Sequence, residues 1–149
     1  MDTKLVMSDK TQITNYHLVR GMDLNHHGTL FAGKAALLFV EAGFIVTSLA
    51  LNTNEIVCLR IHGMLFSHPV KSGDTIRLAS QIVYAGKSSV GVYVEVYVEA
   101  SNTFVVDGFL TFVRVDEETG KPIPHGLILE VNSEKVKLLQ EKYLQEKRK

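Results

Sequence analysis

From Ser88 to Ala100 the chain alternates with period two. Val90, Val92, Val94, Val96, Val98 and Ala100 fall on one face, and Ser89, Gly91, Tyr93, Glu95, Tyr97 and Glu99 on the other. That pattern is a strand with unlike faces. Asp74–Tyr84 reads the same way, with Ile76, Leu78 and Ile82 set against Arg77, Ala79 and Gln81. Residues 103–115 are apolar on both faces, as a central or interface strand is, and residues 56–66 supply a further strand. The connections at 85–87 and 100–102 are short, so these strands should meander antiparallel. Ahead of them, Gly33–Leu51 predicts a helix of about five turns, stopped by Asn52-Thr53-Asn54. Residues 15–21 suggest a short first strand, 23–33 are turn-rich and 116–121 form an exposed turn. Ser133–Lys149 reads as a charged helix, with Ser133 as N-cap and lysines toward its end. One long helix followed by four or five antiparallel strands is an α+β layout, most simply a sheet wrapped around the helix. No repeat or linker divides it, so a single domain over residues 1–149 is expected.

Composition narrows the function. Apolar residues make up 46% and charged residues 21%, an ordinary globular balance. Lys+Arg and Asp+Glu are both 16, so no global field favours nucleic acid or a membrane surface, and neither is an expected partner. Ala35–Leu51 approaches membrane-spanning length, but Glu41 interrupts it and amphipathic strands follow. A helix buried in a soluble protein is the better reading. The polar stretch Met1–Gln12 has no apolar core of a signal peptide. The lone Cys58 excludes an internal disulfide and suits a reducing, cytoplasmic setting. Within Ile56-Val57-Cys58-Leu59 it reads as a buried, inert thiol. His26, His27, His62, His68 and His125 lack metal-site spacing, so no metal is expected. Phosphate-loop, dinucleotide-fold and Ser-His-Asp signatures are absent from the sequence.

Several segments carry a resemblance. Asp23-Leu24-Asn25-His26-His27-Gly28-Thr29-Leu30-Phe31-Ala32-Gly33 resembles the D-x-N-x-x-G-x-x-F/H-G-G loop of hotdog-fold acyl-CoA thioesterases. Val40-Glu41-Ala42-Gly43-Phe44-Ile45 resembles their central-helix signature. Phe66-Ser67-His68-Pro69-Val70-Lys71-Ser72-Gly73-Asp74 is similar to their F-x-x-P-V-x-x-G-D element, and Tyr84-Ala85-Gly86-Lys87-Ser88-Ser89 to their Y-x-G-[RK]-[ST]-S turn. The segment from Phe112 to Pro122 is similar to their ending, so the resemblance spans about residues 15–124. It implies a hotdog fold, an antiparallel sheet around one central helix, with the charged C-terminal helix appended. It implies homodimers with a continuous sheet, often assembled to hexamers as trimers of dimers. Sites then lie between the Asn-bearing loop of one chain and the central helix of its partner. The implied substrate is acyl-CoA, with coenzyme A as part of the substrate and no further cofactor.

Onto that pattern the residues fall as follows. Backbone N–H groups at the helix N-terminus, at Ala32, Gly33 and Lys34, could polarise a thioester carbonyl. Gly33 either admits the thioester or merely turns tightly. Asn25 matches the active-site Asn of the family, and by itself it also reads as an Asx-turn residue. In active members an acid lies fifteen residues after that Asn; here the position is Val40. The adjacent Glu41 is displaced by about 100° around the helix. Its helical neighbours Leu37, Leu38, Phe44 and Ile45 offer no partner for a carboxylate, which would be costly to bury. It stands as the catalytic group, as part of a Lys34–Glu41–Ser48 polar stripe, or beside a site that has lost catalysis. Gly86, Lys87, Ser88 and Ser89, with Arg60 and Lys71, are candidates for CoA phosphates, each also readable as solvated surface. The expected function is acyl-CoA hydrolysis. The alternatives are a hydratase or ammonia-lyase on CoA thioesters and a non-catalytic acyl-CoA-binding module.

Overall fold

The structure is a computed structural model that describes residues 3–149. Its elements run β1 (Lys4–Met7), β2 (Gln12–Leu18), α1 (Ala32–Leu51), β3 (Ile56–His62) and β4 (Thr75–Ala85). They continue with β5 (Ser89–Val98), β6 (Thr103–Arg114), β7 (Leu127–Glu130) and α2 (Glu134–Arg148). Five strands form one antiparallel sheet in the order β2-β4-β5-β6-β3, and β1 pairs with β7 in a separate parallel ribbon.

The period-two pattern does what alternation requires. Val90, Val92, Val94, Val96 and Val98 of β5 all enter one core with Phe39, Ala42 and Val46 of α1. Leu110 and Phe112 of β6 join them from the neighbouring strand. Gly43 makes this close approach possible, because a Cβ there would lie 2.4 Å from Leu110 Cδ1 and 2.9 Å from Phe112 Cε2. The helix ends where Asn52 adopts a left-handed conformation, φ 53°, and its N–H returns to Ser48 O. That conformation is one asparagine tolerates. The sheet therefore packs around α1 in the hotdog layout that the resemblance implies.

Three differences from the sequence reading have physical causes. The strand expected at 15–21 is β2 at Gln12–Leu18, preceded by the short β1, because pairing with β4 from Gln12↔Gln81 to Leu18↔Thr75 fixes its register. The second apolar face of β6 is covered from within the chain, by α2. Val136, Leu139 and Tyr143, spaced along one side of α2, form a second core with Val83 and Phe109 on the sheet face opposite α1. Tyr143 is fully buried there, its ring filling the space that a side chain at Gly91 would need. Ser133 caps α2 by accepting from Val136 N at 3.2 Å. Lastly, Cys58 is exposed and not buried, because β3 is the edge strand beside β6 and its outer side has no neighbour in the protomer. The partial desolvation it keeps still raises its thiol pKa, so it remains a poor nucleophile.

Candidate functional site

The loop ahead of α1 is built around Asp23, whose side chain is only 1% exposed. Its Oδ2 accepts from the Arg20 backbone N–H at 3.0 Å and meets His17 Nε2 at 2.9 Å, while Lys34 Nζ lies 3.6 Å from Oδ1. Its own carbonyl accepts from Phe31 N–H at 2.9 Å. The Arg20 N–H, then His17 and Lys34, hold the carboxyl at a pKa of about 2, against a smaller opposing effect of burial. One ionised carboxylate thus ties the end of β2, the loop and the first turn of α1 together. This residue was visible in the sequence only as the first letter of the D-x-N motif. What marks it is a histidine six residues before it and a lysine eleven after, a spacing that acquires meaning only in the fold.

Asn25 sits two residues on. Its Oδ1 accepts from His27 N at 2.9 Å and Thr29 N at 3.1 Å, and its Nδ2 donates to Thr29 Oγ1 at 3.0 Å. The Asx-turn role is therefore present, and it leaves one amide proton of Asn25 uncommitted. Phe31, the N-cap of α1, offers no side-chain acceptor, and the first backbone bond of the helix runs from Ala35 N to Phe31 O at 3.0 Å. The N–H groups of Ala32, Gly33 and Lys34 are left as open donors at the positive end of the helix. The absent side chain of Gly33 makes room for the Phe31 ring, which an added Cβ would meet at 2.5 Å. Lys34 reaches back to Asp23, so its cation is spent on the loop.

Asn25, Thr29 and Ala32 line one cavity of about 370 Å³, closed on its other sides by Leu30, Ala35, Phe66, Val70 and Val105, with Ser67 and His68 at the segment Phe66–Val70. Apolar walls with a few convergent polar groups are what a small acyl ligand needs. Asn25 and the N-terminus of α1 are thus brought together at one cavity within the chain.

The other candidates lie elsewhere. Glu41 is exposed and opens on a smaller crevice with Asn15, Tyr16 and His17 of β2. The polar neighbours that the helix itself lacks come from a strand, which reasoning along the helix did not reach. Val40 is half-buried against the main core. The turn Gly86–Ser88 and the first residue of β5, Ser89, are held by their carbonyls: Arg114 N donates to Ser88 O, His125 N to Lys87 O and His125 Nε2 to Ser89 O. Arg114 and His125 also line a cavity with Ala50–Thr53, placing this hairpin at the C-terminal end of α1. Asn25 is at the other end, a helix length of roughly 30 Å away. Lys87 is exposed. Arg60 donates from Nη1 to Lys147 O at 3.4 Å, capping the end of α2. Among the described residues no three His, Cys, Asp or Glu side chains gather as metal ligands.

This architecture has close counterparts. YkhA of Bacillus subtilis, named an uncharacterized acyl-CoA thioester hydrolase, is 29% identical over 121 residues, 78% of this chain and 69% of its own. The acyl-CoA thioester hydrolase YciA of Escherichia coli K12 is 29% identical over 107 residues, 67% of this chain and 80% of its own. A solved apo-hexameric acyl-CoA thioesterase aligns with a TM-score of 0.86 at 28% identity, over 97% of this chain and 94% of that one. Residues 27–105, more than half of the chain, match the thioesterase superfamily, and the chain belongs to that family.

Proposed function

We propose that this protein hydrolyses acyl-CoA thioesters to a free carboxylic acid and coenzyme A, as one hotdog domain over residues 1–149 working in the cytoplasm. The observation that carries the reading is the apolar cavity at the start of α1, where the uncommitted amide proton of Asn25 adjoins open backbone N–H groups. Donors held rigidly there stabilise the oxyanion that forms when water attacks the thioester carbonyl. Gly33 and Lys34 contribute through their backbone, since the Lys34 side chain is engaged with Asp23. The names of the relatives support the substrate class.

The working unit is a homo-oligomer, a dimer assembled further into a hexamer. Strand β3 supports this, because its outer edge is unpaired and Val57, Leu59 and Ile61 remain exposed on it. Assembly also resolves the separation within one chain. Glu41 and the hairpin Gly86, Lys87, Ser88 and Ser89 lie outside the Asn25 cavity of their own protomer, so they serve a site completed by another copy. In that site Glu41 is the carboxylate, and Lys87, the Ser88 and Ser89 hydroxyls and Arg60 are candidates for CoA phosphates. The substrate brings coenzyme A itself; no further cofactor or metal is invoked.

Val40, where the family's acid is missing, favours one second reading: acyl-CoA binding without turnover. A thiol-release assay over acyl-CoAs of C2 to C16 separates the two. Release of free CoA supports hydrolysis, and binding at every chain length without release refutes it.

A further inference from the structure

The cavity at the start of α1 contains a side chain that neither the helix motif nor the Asn motif marks. Among the described residues lining it, His68 is the single titratable one. Its backbone is pinned from both sides. Ser67 N donates to Val105 O at 2.8 Å, and Leu30 N donates to Val70 O at 2.8 Å. Pro69 follows and disfavours helical backbone angles at His68, which narrows the conformations open to it. The imidazole is exposed at the cavity.

The remaining histidines are otherwise engaged. His17 is held by Asp23, and His62 by Thr111 at 2.8 Å. His125 uses both nitrogens, on Ser89 O and on Leu127 N. His26 and His27 lie against each other in the exposed loop, ring centroids 3.9 Å apart and tilted by 42°. Val40 carries no acid, and Glu41 opens on a different crevice of its own protomer, so it reaches this cavity only from another copy.

We propose that His68 is a catalytic residue of the hydrolysis, acting as the base on water; this rests on the hydrolase reading above. A ring nitrogen of neutral His68 takes a proton as the water oxygen bonds to the thioester carbonyl carbon. The tetrahedral oxyanion, held by the Asn25 amide and the helix N–H groups, collapses and the carbon–sulfur bond breaks. The electron pair leaves on sulfur, and imidazolium returns the proton to it as CoA thiol. The acid product then ionises to solvent. Imidazole suits both halves, because one ring can first accept and then donate a proton. The charged and titratable groups around it are few. Lys71 lies on its own segment, His26 and His27 on the Asn25 loop, and Lys34, already paired with Asp23, on α1; β6 contributes apolar Val105.

The test is His68→Gln in the full chain, assayed by thiol release from the acyl-CoA that wild type turns over fastest, between pH 5 and 9. The kcat should fall about 10²–10⁴-fold with KM little changed. The acid limb of the wild-type profile should vanish. An unchanged CoA-induced melting shift shows that the variant is folded, and added imidazole should restore part of the rate in His68→Ala. Full activity with an unchanged pH profile, or a rise in KM alone, overturns the assignment. So does loss of the acid limb in Glu41→Gln with its retention in His68→Gln. Wild type that releases no thiol from any acyl-CoA removes the hydrolase reading and this one with it, whereas wild-type turnover with an indifferent His68→Gln removes this one alone.

Discussion

Gly91→Ala would place a methyl carbon 2.5, 2.6 and 2.8 Å from three ring carbons of Tyr143. Carbon–carbon contacts relax at about 3.5–4.0 Å, so the ring must withdraw by roughly 1 Å. It has nowhere soft to go. Tyr143 is fully buried, and its hydroxyl bonds Thr111 Oγ1 at 2.6 Å, which in turn bonds His62 at 2.8 Å. Overpacking of this kind costs about 1–3 kcal/mol, and losing the hydroxyl's bond adds about 0.5–1.5 kcal/mol. Gly91→Ala should therefore destabilise by roughly 1.5–4.5 kcal/mol. Tyr143→Ala alone should cost about 3–5 kcal/mol by leaving a cavity. In that background the methyl group has room, and the reduced freedom of the unfolded chain makes Gly91→Ala neutral or stabilising by about 0.4–1 kcal/mol. Urea unfolding of the four proteins at one fixed protomer concentration measures the coupling. Additivity within about 0.5 kcal/mol would refute the claim that Tyr143 occupies the space of the missing side chain.

Asp23 is held at a pKa of about 2, below its ordinary 3.8. It therefore stabilises the fold fully above about pH 4, and that contribution is lost as pH falls from there through 2; melts across this range should show the loss, and Asp23→Asn should abolish it while lowering Tm at neutral pH. Burial, with smaller help from Arg60, holds His62 below its ordinary 6.5. The unfolded chain then binds the proton more readily, and stability declines as pH drops below 6.5. Hydrogen exchange in α2 should show excess opening at pH 5, removed in His62→Gln. Lys87→Ala should reduce the melting-temperature rise that CoA produces, without changing Tm in its absence; an unaltered rise returns Lys87 to an ordinary exposed turn.

Much of this architecture was written in local patterns. The valine ladder of β5, the apolar run of α1 and the Ser133 cap are short-range signals, and each element lies within a few residues of where they put it. Long-range pairings were not legible. β1 and β7 are four residues each and meet across more than a hundred positions, Lys4↔Leu127 to Met7↔Glu130. Nothing in KLVM or LILE announces that partnership. The two apolar faces of β6 were legible, but not their owner, since a partner chain and α2 would leave the same pattern in the sequence. The candidate site divides likewise. Asn25 and the N-terminus of α1 were legible through motif spacing. The clasp of Asp23 by His17 and Lys34, and the crevice that Asn15 and His17 open beside Glu41, arise between elements and were not.

The placement of α2 also sets an order for biogenesis. A ribosome releases the sheet strands β2 to β6 before residues 127–143 exist outside the exit tunnel. During that interval Val83, Phe109 and the groove above Gly91 have no cover, since Val136, Leu139 and Tyr143 arrive last. The nascent protein thus carries a greasy patch until residues 127–143 have followed the sheet, a few seconds at about 5–20 residues per second. A stop codon ahead of Tyr143 would make that transient exposure permanent and yield a chain prone to capture by chaperones or to clumping, even with the loop of Asn25 and all of α1 intact.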